Sequence, residues 1–223
     1  MRLTFVIKSL NTKGGGAERV LVDITNRLVD RGHGIHVVTF DQTGSIPFYQ
    51  MDSRITRSEI NLAAPGQSIP RPNLLTALPR LRKGILGTKP DLVVAFMHSA
   101  YVPVAFALLG SGCRLVLSEH TSAAHFSGRP VQRLLSRAVL SFAVAKTVPT
   151  RAVRDEQNPI VQKKTHVLPN PLDLQRYGSG DFAQQPKHNV ILCMAGFRPE
   201  KDHQTLISAF ALVTTKFPDW TLR

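Results

Sequence analysis

The chain has 223 residues, 43% of them hydrophobic and 19% charged, with a formal net charge of +13 and a pI near 10.4. This is the composition of a soluble globular protein, long enough for one large domain or two small ones around a sizeable core. The positive balance points to an anionic partner, whether nucleic acid, a phosphorylated substrate or an acidic membrane surface, without choosing among them.

In chain order, LTFVI (3–7) reads as a strand and NTKGGG as a loop. The apolar run of the N-terminus is too short and too interrupted for a signal peptide. From Ala17 to Arg31, Val20, Leu21, Ile24, Leu28 and Val29 recur at helical spacing, and Gly32 and Gly34 end the helix. IHVVTF (35–40) is a second strand and SRITRSEI (53–60) a weaker third. A Pro/Gly/Ser-rich loop (64–72) precedes a helix from Asn73 to about Leu86, which Pro79 should kink or split.

Leu92 to Cys113 contains no Asp, Glu, Lys or Arg and is long enough to span a bilayer. It nevertheless breaks into a buried strand (DLVVAF, 91–96), a turn (MHSA) and a short helix. RLVLS (114–118) is a strand, PVQRLLSRAVLSFA (130–143) a helix with proline in its first turn, and AVAKTV (143–148) another strand. KTHVLPNPLD (164–173) is a short strand running into a proline-rich turn. The polar stretch 174–188 reads as a linker; NVILCMAG then opens a new strand–loop–helix unit, and PDWTLR looks like its next strand. Cys113 and Cys193 have no metal-ligand spacing and are expected as reduced, largely buried thiols.

Strands alternating with helices imply βαβ crossovers and a mainly parallel sheet. The expected organisation is a Rossmann-like α/β domain over 1–173, a linker over 174–188, and the first βα unit of a second such domain over 189–223.

The chemistry-bearing candidates lie at strand ends. Gly14, Gly15 and Gly16 join the first strand to the first helix, where backbone can approach a phosphate or sugar closely. The spacing matches neither G-x-G-x-x-G nor a P-loop, so a plain tight βα turn is the competing reading. His98 and His120 each follow a strand's C-terminal end, on the side of a parallel sheet that faces a ligand crevice. Each either donates to a sugar or phosphate or plays a structural hydrogen-bonding role. Glu119 reads as a base or, more conservatively, as a capping or surface residue. In FRPEKD, Arg198 and Lys201 either clamp a diphosphate or are solvated loop cations. Arg71, Arg80, Arg82 and Lys83 frame Leu74, Leu75, Leu78 and Leu81, which suits either an anionic membrane surface or a core-facing helix with a basic back. Arg129, Arg133 and Arg137 add positive charge to a second helix. No zinc-finger spacing or RNP-like motif supports nucleic-acid binding.

Three segments together resemble a known family. GGGAERVLVDITNRLVDRGHGIHVVTF resembles the N-terminal opening of family-4 glycosyltransferases of the GT-B fold, VLPNPLD their entry to the interdomain linker, and AGFRPEKDHQTLISAFA the start of their donor-binding domain. The resemblance implies two Rossmann-like domains facing across a cleft. It also implies a nucleotide-sugar donor, a lipid-linked or glycan acceptor, and transfer of a hexose-type sugar with retention and without an obligatory metal or cofactor. By position, Gly15 and Gly16 would line the loop beside the donor phosphates and the acceptor, and His120 would approach the transferred sugar; Gly14 and His98 are candidate acceptor contacts. Lys201 would contact the donor diphosphate. The family's arginine five residues before that lysine is Gly196 here, and Arg198 is the nearest substitute. The paired glutamates of the donor domain fall beyond Arg223, so the chain is expected to be a fragment, weak or inactive by itself. The setting implied is the cytoplasmic face of a membrane, with peripheral contact to anionic lipid and no nucleic-acid partner. The alternative is a non-catalytic module that holds a polyanion.

Overall fold

A computed structural model describes residues 1–11, 15–62, 71–172, 188–197 and 201–223; for 71–76 and 123 only the backbone is described. The chain forms two compact units, Met1–Leu172 and Asp173–Arg223. Residues 174–187 of the expected linker lie outside the described residues.

The first unit is built on a seven-stranded sheet, parallel throughout. Its strands are β1 (Arg2–Ile7), β2 (Gly34–Thr39), β3 (Thr56–Glu59), β4 (Leu92–Phe96), β5 (Leu115–Ser118), β6 (Ala145–Val148) and β7 (Thr165–Val167), in spatial order 3-2-1-4-5-6-7. Burial on both faces explains the nearly unbroken apolar strands. Along β1, Leu3, Phe5 and Ile7 pack on one side with Val20 and Leu21 of α1 (Gly16–Asp30). Val6 points to the other side, among Leu81 and Ile85 of α2 (Arg71–Leu86) and Tyr101 and Val104 of α3 (His98–Ala107). The fold is therefore a doubly wound, Rossmann-like α/β sheet.

Helix α1 ends in a Schellman turn: Gly32 N–H donates to Val29 O at 2.9 Å and His33 N–H to Leu28 O at 3.1 Å. Gly32 takes φ +80°, which explains glycine there. Helix α2 runs through Pro79 without splitting, because Ala77, Leu81 and Ile85 anchor the flanking turns in the core. Leu81 is thus packed in the core and Leu78 partly so, and Arg82 Nη1 caps α3 by donating to Ala107 O and Leu109 O at 2.7 and 2.9 Å. The MHSA segment is not a free turn, since α3 already begins at His98. The helix expected over 130–143 stops as α4 (Pro130–Ala138) and tightens into a 3-10 turn, Val139–Phe142.

Between β6 and β7 lie two short helices that periodicity cannot reveal, α5 (Arg151–Asp155) and α6 (Pro159–Gln162). Each opens on a capping side chain: Thr150 Oγ1 accepts from Val153 N–H, and Asn158 Oδ1 from Val161 N–H just before Pro159.

In the second unit β8 (Val190–Ile191) pairs in parallel with β9 (Thr221–Leu222), joined by α7 (His203–Thr214). Asp202 caps α7 by accepting from Thr205 N–H at 3.3 Å. No residue of α7 is buried. Cys113 and Cys193 are free thiols, but half-buried rather than largely buried, because both sit at strand ends.

Candidate functional site

The strand order reverses direction between β1 and β4, since β2 lies on one side of β1 and β5 on the far side of β4. At such a switch point the connections diverge and leave a crevice outside the carboxyl ends of the strands. Three segments of candidate residues arrive at that edge: Lys8 to Asn11 with Gly15 and Gly16 from β1, His98 from β4, and Ser118 to Thr121 from β5.

The path into the glycine loop is fixed from below. The buried Asp41 carboxylate, just past β2, accepts from Ser9 Oγ at 2.6 Å and Leu10 N–H at 2.9 Å. Gly15 caps α1 with no side-chain bond, and its carbonyl accepts from Arg19 N–H. A Cβ on Gly15 would collide with the Glu18 carboxylate, whereas one on Gly16 would meet nothing within 4 Å. Among the described residues the Cβ position of Gly16 is open, while the Glu18 carboxylate lies against Gly15. Gly14 lies outside the described residues.

His98 is delivered by a strained residue. Met97 takes φ +66° and ψ 146° and donates its N–H to Ser118 O at 2.7 Å. A non-glycine residue there costs on the order of 1–3 kcal/mol, a strain found where geometry at a site is over-determined. The turn places His98 at the N-terminus of α3, its ring against His125 and Phe126 at centroid distances of 4.8 and 5.1 Å.

Glu119 is the hub beneath this edge. It is 1% exposed, so the surface role expected of it is overturned. Its Oε2 accepts from Tyr101 Oη at 2.7 Å; its Oε1 accepts from His120 N–H, Thr121 N–H and Thr121 Oγ1 at 3.0, 3.1 and 2.7 Å. His98 Nδ1 stands 3.6 Å from Oε2. Burial pushes the carboxyl's pKa up, but His98, Thr121 and Tyr101 outweigh it and hold the group at about 2. A carboxylate so well satisfied is an organiser of its neighbours, not a base.

His120 stacks on Phe96 with centroids 5.2 Å apart and an interplanar angle of 14°. Its Nε2 lies 3.0 Å from Ser118 Oγ, which also accepts from Thr147 Oγ1 at 3.1 Å. Its Nδ1 is buried, with Asn170 the polar side chain that acts on the ring. Burial lowers the imidazole's pKa, against the opposing pull of Glu119 and Asn170.

Between α3 and α4 opens a cleft of about 540 Å³, whose lining includes Lys8, His98, Val102, His125, Arg129 and Leu135. Burial lowers the pKa of Lys8. Arg129 Nη1 sits 2.8 Å from His125 Nε2. The cleft combines cations, histidines and an apolar wall, a surface suited to an anionic or hydroxyl-rich ligand with an apolar part. Lys8, Tyr101 and His125 were missed in the sequence. Their signals were faint: a lysine just past a strand's carboxyl end, a tyrosine in an apolar helix, and a histidine in the loop after β5.

The first unit thus brings His98, His120, Gly15 and Gly16 to one sheet edge. Lys201 belongs to the second unit, exposed just before Asp202, and Arg198 lies outside the described residues. His203 Nε2 lies 3.0 Å from the carbonyl of Gly196, the position where the family's arginine is lacking. Among the described residues no group of three or more His, Cys, Asp or Glu is placed to hold a metal.

A seven-stranded parallel sheet wound on both faces, with a glycine loop and histidines at its switch point, defines a Rossmann-like domain of the GT-B type. Residues 14–176 match the model of Glycosyltransferase Family 4, and the chain belongs to that family. It is 24% identical over 212 residues to the GalNAc-alpha-(1->4)-GalNAc-alpha-(1->3)-diNAcBac-PP-undecaprenol alpha-1,4-N-acetyl-D-galactosaminyltransferase of Campylobacter jejuni, covering 95% of this chain and 57% of that one. Among solved structures it is similar to sucrose-phosphate synthase from Thermosynechococcus elongatus, with a TM-score of 0.78 and 15% identity over 99% of this chain and 61% of that one. It also superposes on Anabaena HepE in complex with UDP-glucose, with a TM-score of 0.68 and 22% identity over 100% of this chain and 59% of that one. The structural matches show the shared fold. The chain spans less than two thirds of the length of each of these proteins.

Proposed function

We propose that this chain provides the acceptor-binding lobe, with the opening of the donor lobe, of a nucleotide-sugar-dependent glycosyltransferase. The enzyme transfers a hexose-type sugar with retention to a lipid-linked or glycan acceptor. The observation that carries this reading is the convergence of His98, His120 and the Gly15–Gly16 turn on the switch-point edge, beside the cationic cleft.

In this reading the acceptor occupies the cleft between α3 and α4; its hydroxyl oxygen bonds to the anomeric carbon as the bond to the donor diphosphate breaks, and the hydroxyl proton ends on the departing diphosphate. His120, held by Ser118 and stacked on Phe96, meets the transferred sugar. Charge building on the leaving diphosphate is met by Lys201 and Arg198, in place of a metal ion. The nucleotide-sugar donor is supported by the UDP-glucose bound to Anabaena HepE, and the lipid-linked acceptor by the undecaprenol-linked substrate in the Campylobacter enzyme's name.

The location proposed is the cytoplasmic face of a membrane. Among the described residues no helix is long and apolar enough to cross one. Helix α4 instead exposes Val131 (59%) and Leu134 (67%) beside Arg133 and Arg137, a mixed surface that suits peripheral contact with anionic lipid.

The test is a transfer assay on the longest reading frame that contains this chain, with a panel of nucleotide-sugars against polyprenyl-diphosphate-linked and free glycan acceptors. Transfer that falls at least a hundredfold in His120→Ala supports the reading. Binding of polyanions without turnover for any donor would instead mark a non-catalytic module.

A further inference from the structure

The deepest polar feature of the site is the contact between Glu119 and His98. The carboxylate is buried and keeps its charge, with Oε1 occupied by three donors and Oε2 by Tyr101 Oη alone. The second approach to Oε2 is taken by His98 Nδ1 at 3.6 Å. That nitrogen is itself buried and makes no hydrogen bond among the described residues. A neutral imidazole carries one N–H and one lone pair. A lone pair turned toward a buried carboxylate is repelled, whereas an N–H is attracted, so the carboxylate selects the Nδ1–H form. The partly exposed remainder of the His98 ring lines the cleft.

We propose that Glu119 is a positioning residue that fixes His98 as its Nδ1–H tautomer, so that Nε2 offers a lone pair to a hydroxyl of the acceptor in the cleft between α3 and α4. The proposal rests on reading that cleft as the acceptor site. Glu119 touches no substrate; it acts through the ring it orients. The adjoining cations do not provide this function, because Lys8 and Arg129 only donate and therefore read phosphate or sugar oxygens, not hydroxyl protons. An acceptor hydroxyl held through its proton keeps its oxygen lone pairs directed at the anomeric carbon. The device thus selects an acceptor with a free hydroxyl over one alkylated at that oxygen.

The first experiment needs no ligand or turnover. Long-range proton–nitrogen NMR spectra of the imidazole-15N-labelled chain, recorded above the titration range of histidine, report which ring nitrogen carries the proton; His98→Gln assigns the signals. The expected result is a pyrrole-type Nδ1 and a pyridine-type Nε2 at His98. An Nε2–H tautomer in the wild-type chain overturns the proposal, and this measurement does not depend on whether the Glu119 variant folds. In Glu119→Gln the His98 signals should move toward the Nε2–H form, while Tyr101→Phe should leave them in place; an unchanged tautomer in Glu119→Gln also overturns the proposal. In the transfer assay on the full reading frame, Glu119→Gln should raise the acceptor KM about tenfold with a smaller change in kcat, the loss of roughly one hydrogen bond. A switched tautomer with unchanged acceptor KM overturns the hydroxyl contact while leaving the donor chemistry of the site intact.

Discussion

Tyr101 Oη donates a 2.7 Å hydrogen bond to Glu119 Oε2, and both side chains are at most 1% exposed. The bond joins the first turn of α3 to the carboxyl end of β5, and so braces the two segments that carry His98 and His120. Without it the buried carboxylate would lose a donor that no solvent can replace. Tyr101→Phe is expected to destabilise the chain by about 1–3 kcal/mol. In a protein of this size that lowers Tm by roughly 2–12 °C, readable by circular dichroism. An unaltered Tm would show that the bond contributes nothing net.

Glu119 also makes stability depend on pH. Its carboxyl ionises at about 2 in the folded chain and at the ordinary 4.5 when unfolded. Between those values the unfolded state binds more protons, so stability is complete above pH 4.5 and declines as pH falls toward 2. The ionised form contributes on the order of 3 kcal/mol. Glu119→Gln should lose that contribution at neutral pH. Urea titrations should then show the gap between wild type and variant closing from pH 4.5 downward; a gap that stays constant with pH would contradict the assignment.

Gly16 separates folding from binding. Among the described residues a Cβ there meets nothing within 4 Å, and the position already lies at the first turn of α1. Gly16→Ala should leave Tm unchanged or raised by a few degrees, because alanine favours the helix by up to about 1 kcal/mol. If the turn admits a phosphate or sugar against its backbone, ligand affinity in the full reading frame should drop about tenfold or more. Retained affinity together with a raised Tm would reduce the glycine run to a plain βα turn.

Lys146 is a buried cation in the middle of β6, 6% exposed, whose Nζ donates to Gln157 Oε1 at 3.3 Å beside a cavity of about 40 Å³. Burial pushes its pKa down, Glu119 pulls it up, and Arg137 lowers it further. The folded ammonium therefore gives up its proton below the ordinary 10.5, and the unfolded state binds more protons up to that pH. Lys146→Met should be more stable than wild type near pH 7 by about 1 kcal/mol or more. The advantage should shrink as pH approaches 10.5. A methionine variant less stable at every pH would mean that the lysine's contacts outweigh its desolvation.

Much of the architecture is legible from local chemistry. The apolar runs of β1, β2, β4 and β5, and the 3.6-residue pattern from Val20 to Val29, follow from burying a sheet on both faces and a helix on one. The turn at Gly32 is equally local, since a left-handed φ admits glycine at little cost. Where a pattern was short or interrupted the reading slipped. Two helices of four or five residues carry no periodicity, and Pro79 does not split α2.

An alternating α/β chain with glycine and histidine at strand ends follows from local signals, each of which resides in a few consecutive residues. The burial of Glu119 at the centre of the site, rather than on the surface, follows from long-range packing. So do its pairing with Tyr101, 18 residues earlier, and the cleft that Lys8 and His125 share with His98. Those relationships depend on β4 lying between β1 and β5, an order set by how whole crossovers pack and not by any stretch of neighbouring residues.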